Sequence, residues 1–409
     1  MLRPRLKETD RFTRLAGSLL PLRSRCFSTQ PAIESDSEAD GSKSDLPKPY
    51  RTNVDSPSKH QRQHLAKFYT VPKSIERSLF GIFQHTKQSR QLNSFMGEMG
   101  VMVREPFLEI REYIESYDYS QPALRMVVYG KLGVGKSFIL GHTLHYAVEN
   151  SWLVIANSWM PEWLKRPKDT QPNAEDPTIL ETPVEGAIWL QHFRAINERL
   201  LEKLQLKTTS TWKFSDTEVI AEGEPLIKLV AHGIDRMKHS NQCVRSLLHE
   251  VKKQTNEGKT KTMVVLGGVN CLWETSYVKD PKKQFIPARN FHLLQSFKEI
   301  LKNDWKNASA VVSVAAPALS LTHRNLELET VPSYMPQYLL GKEGFEFFEP
   351  FVPIRVEKYS DKEAESVLEY YTDMNFIQHP KGRTEAARNE LKFLSGRNPR
   401  ELRGLCGWI

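Results

Sequence analysis

Gly130-Lys131-Leu132-Gly133-Val134-Gly135-Lys136-Ser137 matches the pattern G-x-x-x-x-G-K-[ST]. Just before it, Arg125-Met126-Val127-Val128-Tyr129 is a short β-branched run of the kind a buried parallel strand requires. After it, Ile139, Leu140, Leu144, Ala147 and Val148 recur at helical spacing up to Asn150, and Trp152-Leu153-Val154-Ile155-Ala156 reads as a second strand. Strand, glycine loop, helix and strand make a βαβ unit. The residue types are those that phosphate binding demands. Glycines admit φ values and a close backbone approach that a Cβ blocks. Consecutive N–H groups at a helix N-terminus then form a nest for an anion. On this reading Gly130, Lys131, Leu132, Gly133, Val134, Gly135, Lys136 and Ser137 bind a nucleotide. Lys136 reaches the β- and γ-phosphates and the Ser137 hydroxyl ligates Mg²⁺.

Further strands are expected at Thr262–Leu266, Ala310–Ala315 and Phe351–Val356, the last confined to an edge by Pro353. Helical spans are expected at Ala187–Leu204, Leu226–Gln254 and Asn290–Lys302. Alternating strands and helices predict an α/β fold, a P-loop NTPase-type doubly wound parallel sheet. The C-terminal part changes character. Ser360-Asp361-Lys362-Glu363 reads as a capping box, Glu385–Leu394 as a second helix and Asn398-Pro399 as the start of a third, together a small helical lid. Arg400 can be read as reaching a γ-phosphate or as a solvated helix-start residue, and the solvated reading is the commoner one.

The chain has 409 residues and a net charge of +8, but residues 1–30 hold seven basic residues against two acids. That leaves only +3 for the remainder, so the overall basicity says little about nucleic acid. The Arg-rich, acid-poor start, with Leu15, Leu19, Leu20 and Leu22 on one helical face, predicts a mitochondrial transit peptide over 1–27, cut after Phe27. Residues 28–60 read as a disordered linker rich in Ser, Pro and Asp. The expected organisation continues with an N-terminal extension (61–105), the P-loop domain (106–358) and the lid (359–409). No run is long enough for a membrane helix, so membrane insertion is excluded. The four cysteines form no CxxC pair, which argues against a disulfide scaffold or a cysteine zinc site.

A nucleotide hydrolase also needs a carboxylate at the end of a neighbouring strand. Thr262–Leu266 ends instead in Gly267-Gly268-Val269-Asn270, and Glu274 lies past Trp273. This predicts nucleotide binding with little or no hydrolysis and no catalytic residue. It also predicts that Gly267→Asp tightens magnesium-dependent binding. The competing expectation is that Glu274 or Asn270 substitutes through a shifted backbone. Local motifs do not give the base: no N-K-x-D is present.

The chain resembles the family of the mitochondrial small-subunit ribosomal protein also called death-associated protein three. The resemblance rests on Phe68-Tyr69-Thr70-Val71-Pro72, Met102-Val103-Arg104-Glu105-Pro106, the glycine loop, Gly268-Val269-Asn270-Cys271-Leu272-Trp273, Lys302-Asn303-Asp304-Trp305 and Tyr338-Leu339-Leu340-Gly341-Lys342-Glu343-Gly344-Phe345. It covers about Gln61 to the C-terminus. It implies a P-loop fold similar to AAA+ and STAND proteins, and a GTP or GDP ligand (ATP as the alternative) with Mg²⁺. It also implies matrix localisation, proteins and rRNA of the small ribosomal subunit as partners, a contact toward the large subunit, and an apoptotic role. The family typically carries Asp at the position of Gly267. The rival reading is an AAA+-type remodelling ATPase of the matrix, which wants a catalytic acid and an arginine finger.

Overall fold

In the computed structural model, residues 48–80, 87–320 and 333–407 are described. The transit-peptide reading of 1–27 and the first part of the linker fall outside them. The β-branched runs become five parallel strands: β1 (Leu124–Tyr129), β2 (Leu153–Asn157), β3 (Thr262–Gly267), β4 (Ala308–Ser313) and β5 (Val352–Arg355). Their order is β5-β1-β4-β3-β2, so β4 lies between the glycine-loop strand and β3. Alternate residues of each strand enter opposite cores, as the pleat requires. Met126 and Val128 join one apolar cluster with α1 (Glu105–Ser116) and α2 (Lys136–Glu149). Val127 joins the other, with α3 (Pro183–Leu204), α4 (Leu226–Asp235), α5 (Ser240–Asn256) and α6 (His292–Ile300). Helices cover both faces, which makes the sheet doubly wound.

Two expectations need correction. The single helix predicted over Leu226–Gln254 is two helices, α4 and α5, broken at Arg236 (φ −113°, ψ 73°). Apolar periodicity runs through the break. The turn is held from outside, by Glu218, which pairs with Arg236 at 3.0 Å and His239 at 2.9 Å. Residues 48–60, assigned by composition to the disordered linker, are packed. Tyr50 and His60 are buried, because each finds partners far along the chain.

Among the described residues no strand pairs with the outer side of the edge strand β2, and α3 supplies its missing partners. Asn197 accepts from Val154 N at 2.8 Å and donates to Val154 O at 2.8 Å, while Trp189 Nε1 donates to Ala156 O at 3.0 Å. At the other edge, Pro353 in β5 has no N–H to offer.

The lid consists of α7 (Asp361–Asp373), α8 (Glu385–Leu394) and α9 (Pro399–Cys406). Ser360 and Glu363 form the expected capping box, and Asn398 caps α9. The lid shares an apolar cluster with an antiparallel ribbon of the N-terminal extension, Phe68–Thr70 against Gly100–Met102. Phe68 stacks on Tyr370 at 4.3 Å, Tyr370 donates to Glu98 at 3.0 Å, and Glu98 pairs with Arg51 at 2.7 Å.

The extension is also seated on α2, through buried histidines. His60 Nε2 donates to Val54 O at 2.8 Å, so its Nδ1 accepts from His142 Nε2 at 3.0 Å. His145 Nδ1 lies 3.2 Å from the Tyr69 hydroxyl. Burial holds the proton affinity of His60 and His145 down to about 4, and that of His142 well below its ordinary value. The unfolded chain therefore binds more protons below pH 6.5, and stability falls as pH falls from there toward 4. At pH 5.5 His60 and His145 each cost about 1 kcal/mol. Urea midpoints should drop steeply between pH 7 and 5.5, and His145→Phe should flatten that slope; an unchanged slope excludes this coupling.

Candidate nucleotide-binding site

The glycine loop runs between β1 and α2, where the sequence places it. Gly130 and Gly133 have φ of 145° and 84°. A Cβ on Gly130 would stand 2.3 Å from Val356 O, and one on Gly133 2.6 Å from Asn398 Oδ1. Only glycine fits either position. Every carbonyl from Gly130 to Val134 has a donor. Lys136 Nζ donates to Gly130 O at 2.8 Å and Lys131 O at 3.0 Å. Asn398 Nδ2 donates to Leu132 O at 2.9 Å, the Arg400 backbone N–H to Gly133 O at 3.1 Å, and Arg104 Nη1 to Val134 O at 2.8 Å. The backbone N–H groups from Lys131 to Ser137 have no acceptor among the described residues. The loop thus ties its carbonyls to the protein and leaves its N–H groups without a partner among the described residues.

The loop borders a cavity of about 860 Å³. Leu132, Gly133, Gly135, Lys136 and Ser137 line it; Gly130, Lys131 and Val134 do not. Val134 is buried in the core beneath the loop. Phe68, Met96, Tyr359 and Tyr370 make an apolar end between ribbon and lid, while Trp159, Glu185 and Trp189 line the opposite end. Lys136 is only 9% exposed, and burial lowers its pKa to about 8. Ser313, at the end of β4, also lines the cavity and accepts from Gly268 N at 3.4 Å.

Arg104, Asn398 and Arg400 are the site residues whose part in holding the loop the sequence did not give. Arg104 is buried. Besides Val134 it holds Glu363 of the lid at 2.8 Å and Glu357 O at 3.0 Å. Arg400 is exposed, as the solvated reading expects, and it also lines the cavity wall.

No carboxylate stands at the end of β3. A Cβ on Gly267 would lie 1.9 Å from Ser158 O. The two proposed substitutes are engaged elsewhere: Asn270 bonds Ala315 N and O, each at 3.1 Å, and Glu274 accepts from Ser320 N at 2.8 Å. Neither lines the cavity. The acids that do are Glu162 and Glu185. Glu185 accepts from Lys168 N at 2.6 Å, and burial raises its carboxyl pKa.

A family model described as mitochondrial ribosomal death-associated protein 3 matches residues 101–405. The chain belongs to this family. Small ribosomal subunit protein mS29 of Bos taurus is 33% identical over 88% of this chain and 88% of its own length. The Mus musculus protein of the same name is 32% identical over 87% and 88%, and that of Neurospora crassa 21% over 68% and 61%. The family match begins within the N-terminal extension and runs through the lid. The loop and nearly all of the lid therefore lie within the match, while the ribbon strand Phe68–Thr70 precedes it.

Proposed function

We propose that this member of the death-associated protein 3 family is a structural component of the mitochondrial small ribosomal subunit that holds a purine nucleotide, GTP or GDP, with little or no hydrolysis. It works in the matrix among ribosomal proteins and rRNA. The observation that carries the nucleotide reading is the loop itself, with every carbonyl from Gly130 to Val134 tied back, its N–H groups without a partner among the described residues, and five of its residues on the cavity wall. The residues fit a polyphosphate. The nest would receive the phosphates, and Lys136 would exchange its carbonyl partners for them. Magnesium fits less fully, since Ser137 is its one protein ligand on the loop and the rest of its shell falls to phosphate and water. When bound, the ion would neutralise phosphate charge. Among the described residues no cluster of His, Cys, Asp and Glu is arranged to hold a metal alone. A bound nucleotide stabilises the fold by mass action, about 2.7 kcal/mol at 100 times Kd.

A lid fastened to both the ribbon and the loop supports retention over turnover. An apoptotic role rests on family resemblance alone. The test is sedimentation of mitochondrial lysate followed by nucleotide extraction. The chain should co-migrate with the small subunit and yield GTP or GDP, and the purified chain should release no phosphate above background. A free homo-oligomer with turnover abolished by Lys136→Ala would overturn this reading in favour of a remodelling ATPase.

A further inference from the structure

The N-terminal extension carries an excess of positive charge distinct from that of the nucleotide cavity. Residues 48–80 carry Lys48, Arg51, Lys59, Arg62, Lys67, Lys73 and Arg77 against Asp55 and Glu76, a net +5. Within this stretch lies a second pocket, of about 260 Å³, lined by Lys48, Arg51, Asn53, Gln63, His64 and Lys67, with no carboxylate in its wall. Two of its cations are held in place from behind. Arg51 is fixed by Glu98 at 2.7 Å, and Lys48 pairs with Asp373 of the lid. Lys67 has no carboxylate within ion-pair distance among the described residues, and Asn53 and Gln63 are exposed amides.

Lys67, uncompensated, with Lys48 and Arg51 each sharing its charge with a carboxylate outside the pocket wall, and the neutral amides of Asn53 and Gln63 around a small concave space make a seat for one compact anion. Further exposed basic residues lie on the same segment: Lys59, Lys73 and Arg62, the last within 3.7 Å of Glu105. A lone phosphate would use the pocket and leave these residues idle. A polyanion uses both, because its charges repeat along a backbone. We propose that this face of the N-terminal extension is an RNA-docking surface, with a backbone phosphate seated between Lys67, Lys48 and Arg51. The proposal rests on the ribosomal reading for the identity of the polyanion. It is independent of nucleotide binding at the glycine loop. Phosphate recognition of this kind positions the protein on RNA and does not read bases.

The test compares the full-length parent with Lys67→Glu and with Lys203→Glu, a charge reversal at an exposed site on α3. The probe is a labelled single-stranded oligouridylate, titrated at several salt concentrations. Lys67→Glu should weaken binding about tenfold at low salt and flatten the salt dependence by about 0.7 in the log–log slope for each RNA phosphate it leaves unneutralised. Lys203→Glu should do neither. Labelled GTP binding, measured on the same samples, should be unchanged in Lys67→Glu, which also shows that the variant is folded. Equal reductions in both variants, or undiminished binding by Lys67→Glu, overturns the proposal. So does a Lys67→Glu chain that keeps its RNA affinity but leaves the small subunit, which would assign this face to a protein neighbour. Failure of the parent to bind GTP, with the RNA effect intact, would overturn the nucleotide reading and leave this one standing.

Discussion

Purified Gly267→Asp should be severely destabilised, and Gly267→Ala nearly as much. The position is at the end of β3, where an aspartate would serve magnesium, and the sequence alone recommends restoring it. The structure gives the opposite expectation. A Cβ there meets the Ser158 carbonyl at 1.9 Å, and Met160 N holds Gly267 O at 2.9 Å. Backbone meets backbone, so no rotamer change relieves the overlap. Overpacking typically costs 1–3 kcal/mol, and an immovable wall puts this case beyond about 4 kcal/mol. Urea melts of the alanine variant isolate the Cβ from the charge. A Gly267→Ala chain within 1 kcal/mol of the parent would show that the 158–159 segment yields. A relative with aspartate at this position must route that segment differently.

Lys136→Ala should lose nucleotide affinity by at least tenfold, about 1.4 kcal/mol or more. It should also melt earlier without nucleotide, because Gly130 O and Lys131 O each lose their bond to Nζ. Gly130 is buried, and leaving a buried acceptor unmet costs about 1–3 kcal/mol. The buried ammonium adds a pH signature. Its pKa of about 8 lies below the unfolded value of 10.5, so the unfolded chain binds more protons between the two. Stability without nucleotide should therefore rise with pH across that window. An arriving phosphate favours the charged form, so nucleotide affinity should fall above pH 8. Equilibrium dialysis with labelled GTP and ATP at pH 7 and 9 measures both effects. Undiminished binding by Lys136→Ala would remove the site assignment.

The loop, its strand and its helix were legible because they are contiguous: glycines, a β-branched run and an apolar period within some 25 residues settle them. The sheet was legible for the same reason, strand by strand, though its order was not. What encloses the cavity was not legible. Asn398 meets Leu132 across 266 residues, and Arg104 meets Val134 across 30. No local pattern marks an arginine that will be buried against a carbonyl, or an asparagine that will both cap a helix and hold a loop. The α4–α5 break and the packing of residues 48–60 escaped likewise, since both depend on partners outside their own segments. The missing acid was legible, but the reason glycine is required there was not, because Ser158 lies on another strand's exit.

The side chains that close the outer margin of β2 limit how this protein can join others. A bare strand margin is a template: any extended peptide can lengthen the sheet there, whether a legitimate partner or another unfolded copy. Asn197 and Trp189 occupy the Val154 and Ala156 groups that such a peptide would need, and Pro353 blunts the opposite margin. Neighbours in an assembly must therefore recognise side-chain relief and charge. Newly made copies waiting to be incorporated are correspondingly shielded from zipping onto one another.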